Sequence, residues 1–204
     1  MITIFILVVL FFSIVIHEIA HGSVAFAMGD PTAKDAGRLT LNPLKHIDPF
    51  GTILLPLILL LTTFGQGPIF GWAKPVPINP FNFRDQKWGV LKVAIAGPVM
   101  NFLIAIVFGL TIRFFTLPPT LLILFSIITI YNFAWGLFNL VPIPPLDGSW
   151  ILFTFLPEQF SNVKFFLQQY GLFILIFFIF FGFRFVFLAA QALFTLICGQ
   201  PFVS

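Results

Sequence analysis

The sequence predicts an all-α polytopic membrane protein, with about five to six transmembrane or re-entrant helices and a small membrane-associated β-sheet. Hydrophobic residues make up 59% of the 204 residues and charged residues only 8%, whereas soluble domains carry about 25% charged residues. Apolar runs of about 20 residues recur along the chain. Because these runs use most of the chain, we expect residues 1–204 to form a single membrane-embedded domain without room for a PDZ or CBS domain.

The first apolar run extends from about Thr3 to Met28 and ends at a Gly-Asp-Pro turn. Residues 37–42, GRLTLN, then alternate with the two-residue period of a strand. Residues 68–80 hold four prolines among strand-forming residues, which is typical of an edge strand or a loop. Together these two stretches predict the small sheet at the membrane surface, whose edge could pair with an extended substrate.

The remaining apolar runs differ in length. Residues 51–65 form a short apolar run that Pro56 interrupts. The run is consistent with either a short span or a re-entrant segment. Residues 92–113 and 120–140 have the length of full spans. Residues 165–198 form a run longer than one span needs.

The net charge of +3 comes from ten Lys and Arg residues that are scattered singly rather than gathered into a stripe, so we expect a lipid bilayer and no nucleic acid as partner. Seven of the ten lie between the first and third apolar runs, which predicts that part of this region is cytosolic. They are Lys34, Arg38, Lys45, Lys74, Arg84, Lys87 and Lys92. The single cysteine excludes an internal disulfide framework.

The motif HEIAH lies inside the first apolar run, at residues 17–21. His17 and His21 are four residues apart, so a helix presents both imidazoles on one face, within reach of one metal ion. Glu18 would then stand beside the metal, where a carboxylate can hold and deprotonate a water. A charged residue at bilayer depth costs about 2.5 to 3.5 kcal/mol, which favours a functional site over three unrelated polar residues packed against other helices.

A catalytic zinc site usually has three protein ligands, and two histidines do not complete it. Asp147 lies in NLVPIPPLDGSW, where prolines prevent regular helix between two apolar stretches. Broken helix at membrane depth indicates a protein-lined cavity. The other interpretation is that Asp147 caps a short helix that begins at Gly148.

The sequence resembles the site-2 protease family of intramembrane zinc metalloproteases, peptidase family M50. HEIAH at residues 17–21 matches the family's HExxH, and NLVPIPPLDG at residues 139–148 is similar to its N-x-x-P-x-P-x-L-D-G element. The resemblance extends to GRLTLNPLKHIDPFG at residues 37–51 and AGPVMN at residues 96–101. It therefore covers most of the chain in order, although we expect the AGPVMN element to serve helix packing.

The resemblance implies a zinc metalloendopeptidase that hydrolyses peptide bonds within or near transmembrane segments of membrane-protein substrates. It also implies a multi-pass integral protein of a prokaryotic cell membrane. One zinc ion per chain would be held by His17, His21 and Asp147. Glu18 would be the general base and acid. Asn139 would lie near the metal and steady the substrate carbonyl or its oxyanion, unless it makes only a helix–helix hydrogen bond.

Three alternatives stay open. His46 either lines the approach of the substrate or is an ordinary interfacial histidine. A CaaX-type membrane protease would use a glutamate as third ligand, and only Glu158 could serve. A membrane metal-ion channel or carrier could use the same His/Glu/Asp cluster, but it would need further ligand sites along its spans.

Overall fold

The computed structural model describes residues 2–62, 64 and 72–202, and within them the chain forms eight α-helices. They are α1 (Ile2–Ala27), α2 (Thr32–Asp35), α3 (Leu55–Thr62), α4 (Gln86–Phe114), α5 (Pro119–Asn139), α6 (Asp147–Phe155), α7 (Ser161–Phe181) and α8 (Phe183–Cys198). A π-helical turn, Pro49–Leu54, leads directly into α3.

Four helical segments are long and apolar enough to cross a membrane: α1, α4, α5 and Glu158–Phe181, which contains α7. Two shorter apolar helices, Pro49–Thr62 and α8, add to these. The long apolar run at residues 165–198 is divided at Gly182, where α7 ends. The chain is therefore a multi-pass membrane protein.

The centre of the fold is α4, which packs against α1, α5, α6 and α8. Ala105 of α4, Ile130 and Phe133 of α5, and Ala190 and Phe194 of α8 form the main buried cluster. By contrast, α7 exposes most of its apolar side chains, as a helix facing lipid would. Helix α4 thus joins α1, α5, α6 and α8, whereas α7 packs against α8.

The prediction of a membrane-associated β-sheet is wrong, because the described part of the chain contains no strand. Residues 37–42 bend instead of extending. The second predicted stretch, residues 68–80, lies partly outside the described residues, and its described part, residues 72–80, forms no strand.

Residues 72–79 bond to several separate parts of the chain instead of one neighbouring strand; the N–H groups of Trp72 and Lys74 donate to the carbonyls of Gly51 and His46. The backbone N–H of Val76 donates to the carboxylate of Glu18 at 2.8 Å, and that of Asn79 donates to Asp30 at 2.7 Å. Prolines at positions 75 and 77 have no N–H to donate. With its donors taken or missing, this segment cannot build a repeating ladder of backbone hydrogen bonds.

The alternating residues 37–42 use local bonds. The backbone N–H of Arg38 donates to the Ala33 carbonyl oxygen, closing the turn after α2, and the N–H of Asn42 donates to the Thr40 hydroxyl. The two-residue period of GRLTLN therefore corresponds neither to a strand nor to alternating burial, because Arg38 is buried and Leu41 is exposed.

Candidate metal centre

Helix α1 places two imidazoles on its buried face. His17 and His21 are 3% and 6% exposed, and their Nε2 atoms lie 2.9 Å apart. At 1.5 Å of rise per residue, His21 lies about 9 Å from the end of α1 at Ala27. His17 and His21 therefore lie within the spanning helix and not at its end.

Asp147 reaches the two histidines from the first turn of α6. Its Oδ2 lies 3.0 Å from Nε2 of His17 and 3.2 Å from Nε2 of His21. Helix α6 can start here because Gly148 has no Cβ, which would collide with the backbone carbonyl of Leu140 at the end of α5. The third residue of α6, Ser149, closes the turn by donating its hydroxyl to the Leu146 carbonyl.

The three donor atoms have the chemistry and spacing of a zinc site. They form a nearly regular triangle with sides of 2.9, 3.0 and 3.2 Å. Ligand bonds of about 2.0 to 2.1 Å in a tetrahedron place donor atoms about 3.3 Å apart, so a slight widening accommodates the ion. Among the residues that the structure describes, this is the one group of three His, Cys, Asp or Glu side chains with such spacing.

A hydrogen bond from Nδ1 fixes the tautomer of each histidine. Nδ1 of His21 donates to the backbone carbonyl of Val93 at 2.6 Å, and Nδ1 of His17 donates to Oδ1 of Asn101 at 2.7 Å. With the proton on Nδ1, each Nε2 keeps a lone pair directed at Asp147, as a metal ligand requires.

Asn101 is itself held by a buried network that joins three helices. Its Nδ2 donates to Oδ1 of Asn132 at 3.0 Å and to the backbone carbonyl of Ser13 at 3.3 Å, which leaves Oδ1 to face His17. Asn132 in turn donates to the Ile128 carbonyl within α5. The network therefore orients His17 from α4 and α5.

Gly97 makes room for the histidines. A Cβ on Gly97 would come within 2.6 Å of Nε2 of His17 and would also collide with Nε2 of His21. The packing role expected of AGPVMN is therefore only part of what this element does. Sequence reasoning missed Asn101, although its position four residues after Gly97, on the same face of a helix, was a usable signal.

Glu18 follows His17 on α1 and is half-buried. Its Oε2 accepts the hydrogen bond from the backbone N–H of Val76, whose side chain lies against Gly22 one turn further along α1. The carboxylate is thus oriented by residues 72–79, and Oε1 accepts no hydrogen bond from the described residues.

The other predicted site residues are not among the three candidate metal ligands. Asn139 ends α5, and its Nδ2 donates to the backbone carbonyl of Trp135 at 3.0 Å. Glu158 lines a separate surface cavity beside Lys164 and is not part of the metal-ligand group.

His46 is fully buried and holds two loops together. Its Nε2 donates to the backbone carbonyl of Thr40 at 2.8 Å, and its own carbonyl accepts the N–H of Lys74. This side chain is therefore neither exposed at the interface nor open to a substrate in this structure.

Comparisons with known proteins agree on one family. The model of the family described as "Peptidase family M50" matches residues 118–182, which include Asn139 and Asp147. YwhC of Bacillus subtilis (strain 168), named as a candidate zinc metalloprotease, is 40% identical over 162 residues, which are 75% of this chain and 69% of YwhC. No solved structure matches the chain significantly.

Two further relatives are longer than this chain. Rip2 of Mycolicibacterium smegmatis, also named as a candidate zinc metalloprotease, is 30% identical over 80% of this chain and 62% of its own length. The zinc metalloprotease MJ0392 of Methanocaldococcus jannaschii is 29% identical over 77% of this chain and 36% of its own length. From the match to YwhC and the family model, the chain belongs to peptidase family M50, the site-2 protease family.

Proposed function

We propose that this chain is an intramembrane zinc metalloprotease, which hydrolyses peptide bonds within or near the transmembrane segments of membrane-protein substrates. One observation carries the proposal: Nε2 of His17, Nε2 of His21 and Oδ2 of Asp147 meet within 3.2 Å of one another on the buried face of a spanning helix. Intramembrane ionisable groups are rare unless they serve a function.

Zinc is the metal that this donor set and the names of the relatives support. Two neutral imidazoles and one carboxylate suit zinc, and three protein ligands leave a fourth position open. When bound, zinc would polarise the scissile carbonyl and lower the pKa of a water to about 7.

Glu18 is the proposed general base and acid. Its Oε2 is engaged by the Val76 N–H, so Oε1 is the oxygen that takes the proton from the attacking water. The same carboxyl group then gives that proton to the leaving amine, which returns Glu18 to its charged form.

Asn139 is the proposed donor to the substrate carbonyl or its oxyanion. A primary amide carries two N–H donors, and in the described residues only one bond from Nδ2, to Trp135, is made. The second N–H remains for a substrate. Asn139→Ala should therefore slow cleavage and leave the zinc content unchanged; loss of zinc would instead assign Asn139 a role in metal binding.

The substrate must be unwound locally before it can react. A helical segment engages its carbonyl groups in hydrogen bonds to the N–H four residues later, which hides the peptide bond from attack. Since the candidate metal centre lies inside the span of α1, the sites of cleavage are expected in or near the membrane.

The direct test is cleavage of a single-span peptide by the purified, reconstituted chain, with zinc analysis of the same samples. Glu18→Gln should keep zinc and lose cleavage at least about 100-fold, since it removes the proton acceptor but no ligand. Glu158→Gln is the matched control, because it makes the same chemical change away from the histidines. Undiminished cleavage by Glu18→Gln would refute the role of Glu18, and zinc flux into liposomes without any cleavage would favour a carrier.

A further inference from the structure

A cavity of about 470 Å³ lies between residues 36–47 and residues 74–77, and its lining includes three cationic residues, Arg38, Lys45 and Lys74. Leu44 lines it as well, and no carboxylate does. Like charges gathered at one place repel each other unless a counter-ion balances them. This cavity is therefore a candidate site for an anion.

Arg38 is the buried member of the three. Its side chain is 94% buried, with 6% exposed, and its Nη2 donates to the backbone carbonyls of Lys74 at 2.6 Å and Pro75 at 3.4 Å. Its Nε is buried and has no partner in the part of the chain that the structure describes. Neutral carbonyl groups orient the guanidinium but do not cancel its charge, which persists at any ordinary pH.

No carboxylate of the described residues lines this cavity; Glu18 instead accepts the hydrogen bond from the N–H of Val76, between the lining residues Pro75 and Pro77. Within the described residues, no carboxylate forms a salt bridge with Arg38, Lys45 or Lys74. Asp48, a nearby acid along the chain, is engaged by the backbone N–H groups of Phe50 and Gly51. The residues outside the described part contain no Asp or Glu.

The side chains around the cavity have the character of a membrane–water interface. Leu41 and Leu44 are 61% and 73% exposed, and Trp72 is 47% exposed. Apolar and aromatic side chains next to cations are typical of the membrane–water interface.

We propose that this cavity binds the phosphate group of an anionic phospholipid. Arg38, held in place by two backbone carbonyls, provides fixed donors, while Lys45 and Lys74 provide positive charge on longer, mobile side chains. Leu44 lies against the apolar part of the lipid. The inference does not depend on protease activity, because it concerns only residues outside the candidate metal centre.

The test compares lipid retention by the full chain in detergent, measured by native mass spectrometry with phosphatidylglycerol, phosphatidylcholine or inorganic phosphate added. The wild-type chain should retain phosphatidylglycerol in preference to phosphatidylcholine. The double variant Lys45→Gln, Lys74→Gln should bind phosphatidylglycerol about tenfold more weakly. These changes leave the backbone carbonyl of Lys74 in place for Arg38, so the fold is expected to persist.

The control removes the same charge elsewhere. Lys87 and Lys164, which lie over the rings of Trp88 and Phe153, are replaced in Lys87→Gln, Lys164→Gln, and this variant should bind phosphatidylglycerol as the wild type does. Equal binding by the wild type and the Lys45, Lys74 variant would overturn the proposal. Inorganic phosphate that binds as tightly as phosphatidylglycerol would overturn the assignment to a lipid.

Discussion

The backbone N–H of Val76 donates a hydrogen bond to Oε2 of Glu18, across 2.8 Å and 58 positions of sequence. It ties residues 72–79 to the carboxylate that the proposed mechanism uses as its base. Residues 72–79 therefore orient a functional group, although they contain none of the predicted site residues.

Replacing Val76 by proline should reduce cleavage about tenfold, because it removes the N–H that orients Glu18 and a hydrogen bond to a charged group contributes about 1.5 to 3 kcal/mol. Zinc content should not change. Val76→Ala is the control, since it shortens the side chain and keeps the N–H. Cleavage reduced equally in both variants would mean that packing, not the hydrogen bond, is what matters.

Gly97→Ala should weaken zinc binding at least about tenfold, because the new methyl group would occupy the space of the Nε2 atoms of both histidines. Zinc affinity is measured by competition with a chromophoric chelator. On the same helix, Gly109→Ala would meet only side-chain atoms of Ile197, Cys198 and Thr129, and it should leave zinc affinity unchanged. Equal affinity in wild type and Gly97→Ala would contradict the described position of the histidines.

Asn101→Leu should lower zinc affinity about 10- to 100-fold, since it leaves Nδ1 of His17 without an acceptor. Asn101→Asp keeps an oxygen for His17 but sets its other oxygen against the acceptors Ser13 and Asn132, so it should restore only part of the affinity. The visible absorption spectrum of the cobalt-substituted chain reports ligand geometry and should change in Asn101→Leu alone. An unchanged spectrum and affinity in that variant would reduce Asn101 to a packing residue.

Asp30, which lies outside the spans, should stabilise the fold at neutral pH and lose this effect in acid. Burial raises the pKa of this carboxyl group, but hydrogen bonds from Thr32, Asn79 and Asn82 outweigh burial and hold the pKa below its ordinary value. The charged carboxylate therefore stabilises the folded chain above the ordinary pKa of about 4, and this contribution is lost as the pH falls through the lowered folded-state value.

Asp30→Asn should consequently destabilise the chain by about 1 to 3 kcal/mol at neutral pH, because an amide nitrogen would oppose one of the donors. The difference from wild type, followed by thermal unfolding in detergent, should shrink below about pH 4. Asp35→Asn, at an exposed position of α2, is the control and should be close to neutral. A difference that stays constant with pH would contradict the assigned charge.

Local patterns predicted part of this molecule well. The apolar runs predicted the spanning helices, and the spacing of His17 and His21 predicted that both imidazoles share one face of α1. Both depend only on residues close together in sequence. Asp147, by contrast, reached the proposed ligand set through the family resemblance, because no local pattern connects it with residues 126 positions earlier.

The wrong prediction of a sheet and the missed role of Asn101 have one physical cause, contacts between residues far apart in sequence. The predicted sheet is missing because the N–H groups of Val76 and Asn79 bond to the distant carboxylates of Glu18 and Asp30, which no alternation of side chains reveals. Asn101 was overlooked because its partner His17 lies 84 positions earlier. Contacts between distant side chains and backbone groups decide both cases, and they become visible only in three dimensions.

The zinc content of Asp147→Asn tests the central claim most directly. The purified wild-type chain should carry one zinc ion, and Asp147→Asn should lose it at a chelator concentration that the wild type withstands, because a neutral amide is a much poorer ligand than a carboxylate. Glu158→Ala, measured in parallel, should keep its zinc. Full zinc in Asp147→Asn together with its loss in Glu158→Ala would contradict the site and transfer the third ligand to Glu158.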